Sequence, residues 1–270
     1  MDGLGRHNDD ELMSARKSWS EQLVAWAIPS EILAKTPTSP WIHPVELFEV
    51  AANVNQRTSL STELALAALP DGGSVLDIGC GGGRGAIALA NKAHLLIGVD
   101  HQQEMLNKFA EAAARRNVGH LEIYGDWPAN AAGVPIADVA IAHHVIYNVS
   151  DLQGFAKAMN SHAKNRVVLE APDRHPLSNL DYLWLHFWNL TRPNGPTAQD
   201  ALEAIREAGY EAKIEYFDDV PRPSLSMEKQ VEFTRVRLCL PDSKDAELRS
   251  ILMNRIEQPR KLAAIWWDTQ

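Results

Sequence analysis

Val75-Leu76-Asp77-Ile78-Gly79-Cys80-Gly81-Gly82-Gly83 is the stretch on which the reading of this chain turns: a β-rich run that ends in glycines and opens into the helical Arg84–Ala90. Glycines at alternating positions remove Cβ atoms from the turn. The helix that follows points unpaired N–H groups and a partial positive charge at whatever lies there, which suits a carboxylate or a phosphate. About twenty residues further on, Gly98-Val99-Asp100 sets an acid at the end of the next strand, where a carboxylate accepts both hydroxyls of a ribose. Taken alone, turn and acid describe a site for any adenosine-containing cofactor.

Glycine spacing narrows the choice. A G-x-G-x-x-G register begun at Gly79 fails at Arg84, whereas G-x-G-x-G is satisfied by Gly79, Gly81 and Gly83. A dinucleotide variant through Gly81, Gly83 and Ala86 also fits, so spacing leaves both cofactor types open. Asp77 tips the balance. An ionised carboxylate in an otherwise apolar strand is costly unless paired; a ligand ammonium group is one suitable partner, and a pyrophosphate would be repelled.

Outward from the turn, short β-rich runs alternate with helical stretches, the pattern of βα units that build a parallel sheet. Strands are expected at Ser74–Gly79, Leu95–Asp100, Leu121–Gly125, Asp138–His143 and Arg166–Glu170, with helices at Gly83–Lys92, Gln102–Arg116 and Asp151–Ala163. Trp19–Ile28 and Pro44–Leu69 read as helices of an N-terminal cap broken by Pro29, Pro37, Pro40 and Pro44. After the sheet unit come an aromatic helix, Asn179–Leu190, a helix Thr197–Ala208 capped by Thr197, and a strand Ala212–Phe217 that a closing strand Leu262–Trp267 pairs antiparallel. Met227–Gln258 reads as an inserted helical pair. The expected organisation is a helical cap over residues 1–70 and an α/β domain over 71–270, with helical insertions at about 172–208 and 224–258.

The series VLDIGCGGG, GVD, GDW and ADVAIAHHVIYNV, over roughly Ser74 to Ala171, resembles the motif series of class I, Rossmann-like S-adenosylmethionine-dependent methyltransferases. The resemblance implies a doubly wound, mostly parallel seven-stranded sheet with helices on both faces and an antiparallel last strand. It implies S-adenosylmethionine as cofactor. Gly79, Gly81 and Gly83, with Cys80 between them, would pack on its methionine portion and Asp100 would hold the ribose. Asp126 would receive the adenine amino group, with Trp127 against the adenine face. His101 stands where the family more often has an apolar residue, a departure an imidazole can accommodate by stacking.

The fourth strand delivers His143, His144 and Tyr147 to its carboxyl end, where ligands bind in doubly wound sheets. Transfer from a sulfonium is an in-line displacement that gains most from near-attack geometry and water exclusion; a base is needed only if the acceptor carries a proton to lose. His143 or His144 is the candidate base. Because adjacent strand residues face opposite ways, only one of them is expected to face the cofactor, and His144 is preferred. The alternative, of equal weight, is that both are structural or touch the cofactor, and His143 is also expected among the cofactor-binding residues. No Cys or carboxylate spacing around them supports a metal site. Trp184, Phe187 and Trp188, with His186 and Asn189, form either a lid over an apolar acceptor or a helix packed on the sheet. Trp26, Trp41 and His43 either line the same pocket or pack in the core.

The formal net charge of −9 gives no electropositive footprint for a phosphate backbone, which disfavours nucleic acid as a partner. No Asn/Asp-Pro-Pro-aromatic tetrapeptide follows the fourth strand, and no cysteine stands there for attack on a pyrimidine carbon, so a small-molecule acceptor is expected. Cys80 and Cys239 make no disulfide framework, and Met1–Lys17 has no signal-peptide core; a cytoplasmic protein without a membrane span is expected. Oligomeric state stays open, a homodimer included. The charged stretch Asp242–Arg260 reads as a solvated helix without chemistry. Two other classes remain: a nicotinamide-dependent oxidoreductase on the same fold, and a non-catalytic protein that keeps the cofactor pocket.

Overall fold

The computed structural model describes residues 14–36, 39–40, 59–219, 226–255 and 260–269. Seven strands make one sheet: β1 (Gly73–Ile78), β2 (Ala93–Asp100), β3 (Gly119–Tyr124), β4 (Ala137–His143), β5 (Ala163–Pro172), β6 (Lys213–Asp218) and β7 (Lys261–Asp268), in the order β3-β2-β1-β4-β5-β7-β6. The first five are mutually parallel, and β7 runs antiparallel to both β5 and β6. This is the doubly wound, mostly parallel sheet with one reversed strand that the motif series implied. The strand order turns back between β1 and β4, and a crevice for ligands opens at such a switch point, outside the carboxyl ends of the strands.

Both faces of the sheet are covered, which is why β1 is buried along its whole length. On one face, α3 (Leu60–Ala68), α4 (Arg84–Ile87) and α5 (Gln103–Arg115) set Ala65, Ile87 and Phe109 against Val75, Ile141 and Val168. On the other, α1 (Ala15–Val24), α6 (Leu152–Ser161) and α8 (Ala198–Glu207) set Trp19, Phe155 and Leu202 against Leu76, Ala140 and Leu169. Thr197 opens α8 with a reciprocal capping box: its side chain accepts from the Asp200 N–H while the Asp200 carboxylate accepts from the Thr197 N–H. A third cluster joins α2 (Ser30–Leu33), α7 (Asp181–Trp188), α9 (Met227–Arg237) and α10 (Asp245–Met253).

Three expectations are corrected. The helix placed at Gly83–Lys92 ends at Ile87. Lys92 must already lie beside β1, where its carbonyl accepts the Gly72 N–H at 2.8 Å, and the residues between close as turns. Of the described parts of residues 1–70, α1 packs on α8 and α6 and α3 packs on β5, so these two complete the sheet's helical layers, whereas α2 joins the third cluster. Pro44–Leu69 is helical from Leu60 to Ala68, and residues 41–58, with Trp41 and His43, lie outside the described residues. Finally, the charged stretch Asp242–Arg260 is not one helix. Among the described residues the last helix ends at Met253, and Arg260 directly precedes β7.

Candidate functional site

The glycine turn is held from three sides. The N–H groups of Gly79 and Cys80 donate to the Val99 carbonyl at 2.8 and 3.1 Å, and the Gly83 N–H donates to the Cys80 carbonyl at 2.8 Å. Gly79, Gly81 and Gly83 have φ of 65°, 51° and 86°, where L side chains are disfavoured. Space excludes side chains as well: a Cβ on Gly79 would lie 2.7 Å from Val145 Cγ2, and one on Gly83 would lie 2.8 Å from Phe109 Cδ2. Cys80 is a partial correction. Its Sγ turns inward against Gly98 and Phe109, and burial pushes the thiol well above its ordinary range, so only backbone at this position can meet a ligand.

Both acids are tied into this turn. Asp100 Oδ2 accepts the Gly81 N–H at 3.0 Å and its Oδ1 accepts the Gln102 N–H at 3.0 Å, leaving further lone pairs for a ribose. Asp77 is 2% exposed, and its Oδ2 accepts the Ala86 N–H at 3.1 Å. Burial raises this carboxyl to about 7, against the pull of that hydrogen bond and with help from the charge of Asp100. A buried carboxylate poised in this way gains most from a cation placed beside it.

On the β3 side, the Gly125 N–H donates to the Asp100 carbonyl at 3.0 Å, which brings Gly125-Asp126-Trp127 next to the end of β2. Asp126 is exposed there. Trp127 is half-buried and meets the His162 ring edge-on, with centroids 5.0 Å apart. His101 is exposed, its Nδ1 3.8 Å from Asp100 Oδ1.

The carboxyl ends of β4 and β5 carry the largest departure from expectation. His143 pairs in register with Glu170, so both lie on the face covered by α3 and α4. His144 was expected to point the other way, but it has left the strand: its φ is 62°, its N–H donates to the Glu170 carbonyl at 2.6 Å, and its ring returns to place Nε2 3.3 Å from Glu170 Oε1. Both histidines therefore converge on one buried carboxylate. Burial alone would raise Glu170, but the two imidazoles and the Ser61 hydroxyl outweigh it and hold the carboxyl far below its usual range. Burial also lowers His143, only partly offset by Glu170. On the outer side of His144, Arg260 Nη2 lies 3.2 Å from Nδ1. The sequence reading missed both Glu170 and Arg260. A signal for Glu170 was present, since it is an acid in an apolar strand just as Asp77 is.

Tyr147 does not join this group as an acid or base. Its hydroxyl donates to the Pro172 carbonyl at 2.9 Å and approaches the Asp173 carbonyl at 3.2 Å, and burial pushes it far above its ordinary range. It straps β4 to the end of β5, with Trp19 packed 5.6 Å away.

The aromatic stripe packs in the third cluster rather than on the sheet. Trp184 is fully buried, and Trp188 Nε1 donates to the Leu238 carbonyl at 2.7 Å. The Arg192 guanidinium lies 5.0 Å from the Trp26 ring and 5.0 Å from the Trp184 ring and donates to the Trp26 carbonyl. His186 turns outward to Glu247 at 2.8 Å, and Asn189 ends α7 in the left-handed region.

Comparison with known proteins agrees with this architecture. Residues 51–213 match the family model described as a methyltransferase domain. An uncharacterized protein of Haemophilus influenzae is 34% identical over 97 residues, 36% of this chain and 36% of that protein. The O-antigen chain terminator bifunctional methyltransferase/kinase WbdD of Escherichia coli is 28% identical over 201 residues, 67% of this chain and 26% of that protein. The chain thus matches about a third or less of the length of these curated relatives. Among solved structures, YcgJ of Bacillus subtilis superposes with a TM-score of 0.53 at 16% identity, covering 78% of this chain and 98% of that one. An S-adenosylmethionine-dependent methyltransferase of Thiobacillus denitrificans, in complex with S-adenosylhomocysteine, gives 0.50 at 16% identity, covering 82% and 95%. The chain belongs to the methyltransferase-domain family and is built on the class I, Rossmann-like S-adenosylmethionine-dependent fold.

Proposed function

We propose that this protein transfers the methyl group of S-adenosylmethionine to a small-molecule acceptor. The observation that carries the reading is the pair of acids wired into the glycine turn, Asp100 through the Gly81 N–H and Asp77 through the Ala86 N–H. Asp100 is placed to take the ribose hydroxyls. Asp77, raised by burial, is suited to a neighbouring ammonium, a group that the methionine portion has and a pyrophosphate lacks. The residues present therefore fit the cofactor. Bound there, it would supply an electrophilic sulfonium methyl, with Gly79, Gly81 and Gly83 against the methionine portion and Asp126 and Trp127 toward the adenine. His101 is assigned to the same pocket, and His143 to its floor.

Among groups that can act on the acceptor, His144 is the assigned base, because it has left the strand and its ring is held by Glu170 at 3.3 Å. A small acceptor is favoured by the net charge of −9 and by the absence of a nucleobase-type motif after β4. The test is calorimetric titration with S-adenosylmethionine, S-adenosylhomocysteine and NADH, repeated on Asp100→Ala. Micromolar binding of both sulfur ligands, lost in the variant, is the expected result. Binding of NADH alone would transfer the chain to the oxidoreductases, and no binding at all would leave a non-catalytic protein.

A further inference from the structure

The hydrogen bonds around His144 assign its tautomer. A guanidinium has only donors, so with Arg260 Nη2 3.2 Å away, His144 Nδ1 must present its lone pair. The ring proton then sits on Nε2 and donates to Glu170 Oε1 at 3.3 Å. Glu170 is 7% exposed and cannot be replaced by water without opening the packing of α3 on β5. The imidazole is thus oriented as a base from behind, while the lone pair it would use is covered from the front. The cover is the more exposed partner: the Arg260 side chain is 44% exposed, and the acid facing it, Asp219 on the segment after β6, stands at 3.9 Å from its Nε.

We propose that Arg260 is a removable cover on the base His144, and that the acceptor is a hydroxylated organic acid whose oxyanion draws the guanidinium away. This rests on the methyltransferase reading above. The acceptor oxyanion pairs with Arg260, which frees His144 Nδ1 beside the acceptor hydroxyl. The hydroxyl proton passes to Nδ1 as its oxygen bonds to the methyl carbon. The carbon–sulfur bond breaks with its electron pair going to sulfur, giving the thioether S-adenosylhomocysteine, and the imidazolium is left paired with Glu170. A neutral acceptor leaves the base covered, so the same contact that binds an acid also selects for it. Glu170 acts through His144 and is a positioning residue. Among the described residues, the charged and titratable groups around the pair are His143 on β4, Glu170 on β5, Arg260 just before β7 and Asp219 after β6.

The masking is read directly by long-range nitrogen–proton NMR of the full chain labelled with 15N-histidine, the His144 signals being assigned with His144→Gln. Nε2 is expected to be protonated and Nδ1 bare. Benzoate and inorganic phosphate, added separately with S-adenosylhomocysteine present, serve as oxyanion probes, and the stronger of the two tells a carboxylate site from a phosphate site. A saturable shift of Nδ1 is expected, with affinity at least about tenfold weaker in Arg260→Ala and partly restored in Arg260→Lys. In turnover, hydroxylated acids are expected to react and their neutral amides not to. Arg260→Ala should raise KM for the acids at least about tenfold while kcat changes less. A proton on Nδ1, no response to either anion, or the same response in Arg260→Ala would overturn the proposal. Binding of S-adenosylhomocysteine is measured separately on the same samples, so failure of the cofactor reading is distinguishable from failure of this one.

Discussion

Replacing Asp77 with asparagine should make the ligand-free protein more stable at neutral pH and at the same time spoil its cofactor site. The carboxyl is raised from 3.8 to about 7 by burial, so the fold holds the Asp77 proton more tightly than the unfolded chain does. For an acid shifted in this direction the sign is the reverse of the usual salt-bridged carboxylate. The stabilising contribution is complete below the unfolded value of 3.8 and is lost as pH rises toward the folded value near 7. The shift of 3.8 to about 7 corresponds to roughly 4 kcal/mol at the limit, of which about 2 kcal/mol is lost between about pH 5 and 7. Asparagine keeps an oxygen to accept the Ala86 N–H and has no charge to desolvate, so it should lack this slope. Urea unfolding of wild type and Asp77→Asn across that range measures the difference directly. The curves should diverge as pH rises, with the variant gaining relative to wild type. Bound S-adenosylmethionine should then close the gap, because its ammonium stabilises the ionised form of Asp77, and binding near neutral pH should release protons in wild type only. Parallel pH dependence of the two ligand-free proteins would refute the reasoning.

Two further perturbations test the frame that holds the site. Gly83→Ala sets a Cβ at 2.8 Å from Phe109 Cδ2 with φ at 86° and should cost about 1–3 kcal/mol, read as a lower thermal midpoint with weakened cofactor binding. Trp19→Ala removes a fully buried indole and its Nε1 bond to the Val149 carbonyl, and should cost about 3–5 kcal/mol in denaturant unfolding.

What could be read from the chain was what neighbouring residues decide among themselves. The glycine turn, the acids two residues before it and at the end of the next strand, and the alternation of β-rich and helical runs are all local, and each survived into the structure. So did the antiparallel pairing of β6 and β7, because both strands carry their own pattern. The aromatic helix was legible as a helix but not by its destination. Its apolar face fits any apolar surface, and the surface it meets is made by α9, α10 and the N-terminal segment.

The sequence by itself determined the fold class and the acids Asp77 and Asp100, since period, glycine content and an acid in an apolar run are properties of short segments. Only the tertiary structure decided the chemistry at the end of β4. Strand alternation predicts that His143 and His144 diverge; the left-handed backbone at His144 makes them converge on Glu170. Arg260 reaches the same ring because β7 runs back beside β5, across 116 residues of chain. Contacts between segments so distant in sequence depend on sheet order and register, which no local pattern encodes.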